Sequence, residues 1–82
     1  MKYPLYCIRD VKVGFLAPQA DQSDQSAIRS FSFAVNGNDG IMNFSPKDFD
    51  LYKVGEFDSE DGSIISCVPD LVCSGVDVFG DK

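Results

Sequence analysis

Few side chains of this sequence are suited to catalysis, because it contains no histidine. A serine or cysteine nucleophile normally needs an adjacent base, and histidine is the usual one. The carboxylates that lie close together along the chain are Asp48, Asp50, Asp58, Glu60 and Asp61. The last three surround an Asp-Gly turn, where acidic residues are expected from turn chemistry alone. We therefore predict that the protein is not an enzyme and binds no cofactor.

The cysteine pattern argues against a metal site. Cys7, Cys67 and Cys73 form no CxxC pair, and histidine ligands are absent, so the spacing does not match a zinc site. An odd number of cysteines and the lack of an apolar leader at the N-terminus favour reduced thiols in a cytosol. We interpret the three thiols as small buried apolar groups. No stretch approaches the ~20 apolar residues of a membrane span, so we expect no membrane partner.

Aromatic residues next to basic ones point to binding. The chain has seven Phe and three Tyr, and aromatics beside Lys or Arg on a sheet suit single-stranded nucleic acid, because bases stack on the rings and phosphates pair with the cations. Tyrosine often lies at the boundary of a core. The candidate nucleic-acid-binding residues are Tyr6, Arg9, Lys12, Arg29, Tyr52 and Lys53. The alternative is that the rings fill a thin core.

The charge is unevenly distributed along the chain. Residues 1–53 contain six basic and six acidic residues, whereas residues 54–82 contain one basic and seven acidic residues, so the net charge of −6 lies entirely in the last third. A protein that condenses DNA over its whole surface needs the opposite sign. A second hypothesis is therefore an acidic module that binds a basic protein surface. Its candidate protein-binding residues are Glu56, Asp58, Glu60 and Asp61.

The elements that must position these side chains are strands around one helix. Residues 3–10 predict a strand that is apolar on both faces, continued by residues 11–16 after a bend near Gly14. A stripe of apolar residues at helical spacing predicts a helix over residues 22–35. The stripe consists of Ala27, Ile28, Phe31, Ala34 and Val35. Asp21 or Ser23 is expected to cap its start, and Asn36-Gly37 to end it.

The second half of the chain predicts a hairpin. Residues 36–48 are typical of a loop, residues 49–58 of a strand, residues 59–62 of a tight turn and residues 63–68 of the returning strand. Residues 69–82 are either an edge strand or a loosely attached acidic tail. With 82 residues, we predict a single domain over residues 1–82. Its class is α+β, with a small antiparallel or mixed sheet of three to five strands and one helix packed on one face.

A single helix covers one face of such a sheet, which predicts self-association. We expect the other face to expose Tyr6, Ile8, Tyr52 and Val54. Contiguous apolar surface usually marks an interface, and twofold symmetry is its commonest form. The sequence therefore predicts a homodimer through sheet faces or edges. The alternative is that the C-terminal segment covers the same face through its own apolar residues, Leu71, Val72, Val76, Val78 and Phe79.

Three segments carry a family resemblance. They are Tyr6-x-x-Arg-Asp running into Val-Lys-Val-Gly-Phe-Leu-Ala-Pro18, Asp24-Gln-Ser-Ala-Ile-Arg29 followed by Phe31, and the run from Pro46 to Gly62 that contains Asp-Phe-Asp-Leu-Tyr52. In this order they resemble the small non-structural protein of the gokushovirus group of microviruses, icosahedral phages with circular single-stranded DNA.

The resemblance implies an accessory role like that of the microvirus C-type protein, which switches genome synthesis toward single strands for packaging. It also implies a location in the bacterial host cytoplasm. The expected partners are phage replication or packaging proteins and single-stranded DNA, and the acidic module would bind a phage or host protein.

Overall fold

The computed structural model describes residues 1–37 and 40–80. Five strands form one antiparallel sheet in the order β2–β1–β4–β5, with β3 also paired to β1. The strands are β1 (Lys2–Asp10), β2 (Gly14–Phe15), β3 (Gln19–Ala20), β4 (Phe49–Asp58) and β5 (Ile64–Ser74). The helices are α1 (Asp24–Val35), α2 (Ile41–Phe44) and α3 (Gly75–Val78), with a 3₁₀ turn at Pro46–Asp48. The predicted α+β class is confirmed.

Helix α1 begins two residues later than predicted, because Ser23 is its N-cap. The backbone of Ser23 is extended, and its hydroxyl accepts a hydrogen bond from the Ser26 amide at 3.2 Å. At the other end, the Asn36 side-chain amide donates to the carbonyl of Ser32 at 2.8 Å and to that of Val78 at 3.0 Å. Asn36 therefore ends α1 and also ties it to α3.

The core lies between α1 and the sheet. Its buried members are Tyr6, Ala27, Phe31, Val35, Phe49, Leu51 and Val78. Four of the five residues of the predicted helical stripe contact this core or belong to it; Ala34 is half-buried. The prediction of which sheet residues face away from α1 was partly wrong. Ile8 lies opposite Leu51, whereas Cys7 lies opposite Tyr52, so Ile8 and Tyr6 point toward α1 and Tyr52 points away.

Residues 36–48, expected to be a loop, contain α2 and the 3₁₀ turn; residues 38 and 39 lie outside the described residues. The returning strand was predicted to end at residue 68, but β5 continues to Ser74. Proline is tolerated in edge strands and at irregularities of a ladder, and Pro69 lies on the edge strand β5 where its pairing with β4 shifts register.

Of the two possibilities for the C-terminal segment, the structure shows the edge strand for residues 69–74 and a helical turn after it. Val78 is buried in the core, and Val72 and Cys73 pack against it. The segment therefore packs on the α1 side of the sheet. The expected alternative to a dimer, in which this segment covers the opposite face, was wrong. Residues 81 and 82 of the predicted acidic tail lie outside the described residues.

Candidate functional site

A basic residue and two aromatic rings meet on the sheet face that points away from α1. The rings of Phe15 and Tyr52 contact edge to face, with centroids 5.3 Å apart and an interplanar angle of 66°. The guanidinium carbon of Arg9 lies 5.9 Å from the centroid of the Phe15 ring, within the range of a cation–π contact. Phe15 is 47 % exposed. These three residues, the Arg9–Phe15–Tyr52 cluster, place a partly exposed ring beside a permanent cation.

The turn between β1 and β2 creates this cluster. The Asp10 carboxylate accepts a hydrogen bond from the Lys12 backbone amide, and the Asp10 backbone carbonyl accepts one from the Val13 amide. Both bonds are 3.0 Å long. Gly14 follows with φ of 117°, a conformation that other residues rarely adopt. The chain thus reverses, and Phe15 pairs with Arg9.

A buried thiol lies beside the aromatic contact. Because β1 lies between β2 and β4, the contact between Phe15 and Tyr52 passes over β1. Cys7 lies directly opposite Tyr52 on this face and is buried. Burial raises the pKa of the Cys7 thiol, so this group is neutral at physiological pH. The cluster therefore presents its ring and its cation, and not a reactive thiolate.

Carboxylates accompany the cations near the cluster. Arg9 lies opposite Asp50 in the sheet, and the Lys12 ammonium is 3.8 Å from the Asp48 carboxylate. The Lys12 side chain is well exposed, and exposed ion pairs of this kind are weak and screened by salt. Lys12 is therefore able to exchange Asp48 for another anion, but the surface is not strongly basic.

The structure separates the six predicted nucleic-acid-binding residues. Arg9 and Tyr52 lie in the cluster, and Lys12 lies in the adjoining turn. Lys53 follows Tyr52 along β4 and pairs with Tyr6, so it projects from the opposite face. Arg29 is exposed on α1. The predicted site therefore combined side chains that lie on different faces of the folded protein.

Tyr6 was wrongly assigned as a stacking residue. It is only 4 % exposed and belongs to the core, and its hydroxyl donates a hydrogen bond to the Asp24 carboxylate. The ring is therefore inaccessible to a base. Phe15 was missed, because its strand has only two residues and its position depends on the preceding turn. The available signal was an aromatic residue directly after a glycine in an apolar run.

Three of the acidic side chains at the turn between β4 and β5 already have polar contacts within the chain. The Asp58 carboxylate accepts a hydrogen bond from the Glu60 amide, and the Asp61 carboxylate accepts one from the Ser63 amide, both at 2.9 Å. These backbone hydrogen bonds are the main reason that the pKa values of Asp58 and Asp61 are lowered. The N-terminal ammonium lies 3.5 Å from Asp58 and 3.3 Å from Glu60. Of the four predicted protein-binding residues, only Glu56 has none of these contacts.

The three thiols occupy different environments. Cys7 is buried, Cys73 is half-buried and Cys67 is exposed, so the expectation of three buried thiols was wrong for Cys67. Burial, aided by the nearby carboxylates of Asp77 and Asp50, raises the pKa of Cys73 to about 11. Within residues 1–37 and 40–80, no three Cys, Asp or Glu side chains are grouped so as to hold a metal ion.

The family of the chain follows from its comparison with known families. The model of the phage ORF5 protein family matches residues 3–78. The chain belongs to this family. It is therefore a phage protein, as the resemblance of residues 3 to about 65 implied, and the match to the phage ORF5 family extends that relationship through α3.

No curated protein and no solved structure matches the chain significantly. Among the described residues of this phage ORF5 family member, every helix is too short or too polar to cross a bilayer.

Proposed function

We propose that this phage ORF5 family member is a non-structural accessory protein that acts in the replication or packaging of a single-stranded DNA genome. It contacts single-stranded DNA weakly through the Arg9–Phe15–Tyr52 cluster, in the host cytoplasm, and works with phage replication or packaging proteins. Its role is binding and not catalysis. The resemblance to the gokushovirus small non-structural protein supports the choice of a single-stranded genome.

The observation that carries the proposal is the half-exposed ring of Phe15 next to Arg9. Every base has a face that stacks on an aromatic ring, and stacking contributes about 1–3 kcal/mol per base. The edge-to-face contact with Tyr52 holds the Phe15 ring in place, so little side-chain entropy is lost when a base stacks on it. Arg9 and Lys12 are then available for the adjoining phosphates.

Charge explains why the binding is weak and prefers single strands. The net charge is −6, and both cations near the cluster have a carboxylate neighbour. Duplex DNA has its bases stacked internally and offers this surface only phosphates. A single strand adds stacking on Phe15, which the surrounding negative charge does not oppose. The protein is therefore suited to transient contacts at a genome that other proteins replicate or package.

Fluorescence anisotropy with a labelled oligothymidine of about 16 nucleotides tests the proposal. We expect salt-sensitive binding, and a fall in affinity of about tenfold for Phe15→Leu, which keeps an apolar side chain but removes the ring. Two phosphate contacts predict a slope of log K against log salt near about −1.4, and Lys12→Gln should reduce its magnitude by about 0.7.

Arg29→Gln is the matched control, since it removes an exposed cation on α1 away from the cluster. Equal loss of affinity for Arg29→Gln and Arg9→Gln would show that the protein binds DNA only through diffuse charge. No binding at low salt would contradict the DNA contact altogether.

A further inference from the structure

An open apolar cleft lies on the other side of the sheet from the Arg9–Phe15–Tyr52 cluster. It has a volume of about 350 Å³ and is bounded by α1 on one side and by residues 16–21 on the other. Its floor includes Ile8 and Leu51. The proposed DNA contact does not use this cleft.

Small side chains on α1 keep the cleft open. Three of the four α1 residues that line it have small side chains, Ala27, Ser30 and Ala34, and the ring of the fourth, Phe31, is buried in the core. Ala17 lines the cleft from the opposite wall. The opposite wall is held by backbone hydrogen bonds from the Leu16 amide to the Ile8 carbonyl at 2.8 Å and from the Asp21 amide to the Pro4 carbonyl at 3.1 Å. The α1 wall is held by the hydrogen bond from the Tyr6 hydroxyl on β1 to the Asp24 carboxylate. Both walls are therefore attached to β1, and the cleft is preformed.

The size of the cleft suits more than one side chain. A dry apolar cavity of ~150 Å³ accommodates a benzene molecule, so this cleft has space for about two aromatic or branched aliphatic side chains. The edge of β1 beside it is already paired with β2 and β3. A ligand therefore cannot add a strand there and must insert side chains, as an amphipathic helix does in a groove.

The charge at the cleft selects a basic ligand. Asp21 lines it, and Asp24 lies at its Tyr6 side, where it accepts the tyrosine hydrogen bond. The residues that line the cleft, all of them described by the structure, include no Lys or Arg. Arg29 lies on α1 but is two residues from Ala27 and one from Ser30, which places it on the opposite side of the helix. A cation next to the inserted apolar side chains would therefore meet the Asp21 carboxylate, and Lys53, the cation that lies opposite Tyr6 on this face of the sheet, is not among the residues that line the cleft.

We propose that this cleft binds a basic amphipathic helical segment of another protein, through two neighbouring apolar side chains that enter the cleft and a Lys or Arg that pairs with Asp21. Together with the DNA contact on the opposite face, this would let one chain join a protein to single-stranded DNA. The cleft proposal does not depend on the DNA contact.

Selection from a random dodecapeptide library on the full chain tests the proposal, with anisotropy measurements on the enriched peptides. We expect enrichment of sequences with two large apolar residues three or four positions apart and an adjacent Lys or Arg. Filling the cleft by Ala34→Leu should weaken binding by at least about tenfold, and Asp21→Asn by about three- to tenfold. Replacing the basic residue of the peptide by Glu should weaken binding to a similar extent.

Two controls keep the result interpretable. Ala17→Leu fills the cleft from the opposite wall, so a folding defect of Ala34→Leu does not remove the test. Gln25→Leu adds the same side chain to an exposed position of α1 outside the cleft and should leave peptide affinity unchanged. Oligothymidine binding should be unaffected by either filling variant. The proposal is wrong if no peptide is enriched, if the enriched peptides are acidic, or if they bind both filled variants as well as the natural chain.

Discussion

The hydroxyl of Tyr6 donates a hydrogen bond to the carboxylate of Asp24 and thereby joins the middle of β1 to the first turn of α1. Tyr6 is also part of the core. Burial, followed by the hydrogen bond to Asp24, raises the pKa of Tyr6 well above its usual range. The folded protein therefore requires the neutral form of this side chain, and its stability depends on that requirement at alkaline pH.

We expect Tyr6→Phe to lower the free energy of unfolding by about 1.5–3 kcal/mol at neutral pH, because a hydrogen bond to a charged group is lost. The Tyr6 contribution is fully present below the usual tyrosine pKa of about 10 and decreases as the pH rises above it, because the unfolded chain then ionises while the folded chain does not. The natural protein should therefore lose stability above about pH 10 more steeply than Tyr6→Phe. Urea unfolding at several pH values measures both slopes, and Tyr3→Phe is the control. Parallel curves for all three proteins would contradict this role of Tyr6.

The acidic hairpin should show the opposite pH dependence. The lowered pKa values of Asp58 and Asp61 mean that their contribution to stability is present above the usual carboxylate pKa of about 4 and is lost as the pH falls below it. We expect Asp58→Asn to lower the urea midpoint at pH 7 and to flatten its decline in acid. Asp70→Asn, an exposed carboxylate on β5, should retain the natural slope. If Asp58→Asn leaves the stability unchanged, the contacts of this carboxylate within the hairpin do not stabilise the fold, and Asp58 remains a candidate for binding a protein partner.

A close backbone approach connects α3 to the 3₁₀ turn. A Cβ atom on Gly75 would lie 2.1 Å from the carbonyl oxygen of Pro46, so the two backbones would have to separate. We expect Gly75→Ala to destabilise the protein by about 1–3 kcal/mol through overpacking. Gly37→Ala is the matched control, since its Cβ would meet the nearest atom at 3.4 Å, an ordinary contact. Equal urea midpoints for the two variants would show that α3 is not packed as described.

Local signals in the sequence predicted several elements well. The spacing of Ala27, Phe31 and Val35 indicated α1, and all three are buried. The strand predicted over residues 49–58 is β4 with the same bounds, because Pro46 lies in the turn before it and an Asp-Gly turn follows it. These elements depend on residues close together in the chain, which is where sequence patterns are most informative.

Features that depend on long-range pairing were not predictable in the same way. Both faces of β1 are apolar, so alternation alone did not show whether Tyr6 or Cys7 faces α1. Ile8 pairs with Leu51, which belongs to the core under α1, so Ile8 and Tyr6 face α1 and Cys7 faces away. The cluster was unpredictable for the same reason. Phe15 on β2 contacts Tyr52 on β4 because both strands pair with β1, one on each side of it. The cleft depends on where residues 16–21 pair with β1, which no periodicity specifies.

The predicted homodimer now has a specific candidate surface at β5. Among the described residues β5 pairs only with β4, so its other edge is open. It also carries four large apolar side chains that are each more than half exposed, Ile64, Ile65, Val68 and Leu71. Open apolar edges pair readily with another strand, and a lysine there opposes such pairing. We expect the full chain to sediment at twice its mass of 9.0 kDa at high micromolar concentration, and Ile65→Lys to shift it toward the monomer.

Sedimentation equilibrium on the full chain is the appropriate measurement, because truncation near Val68 would remove half of β5 and also Val78 from the core. Val13→Lys is the matched control, since Val13 is apolar and exposed but lies in the turn between β1 and β2. If Val13→Lys dissociates the dimer and Ile65→Lys does not, the chains associate near the Arg9–Phe15–Tyr52 cluster, and self-association would then compete with DNA. A natural chain that remains at 9.0 kDa would contradict the dimer itself. Pro69 and the irregular pairing of residues 67–69 would then be the features that protect this edge.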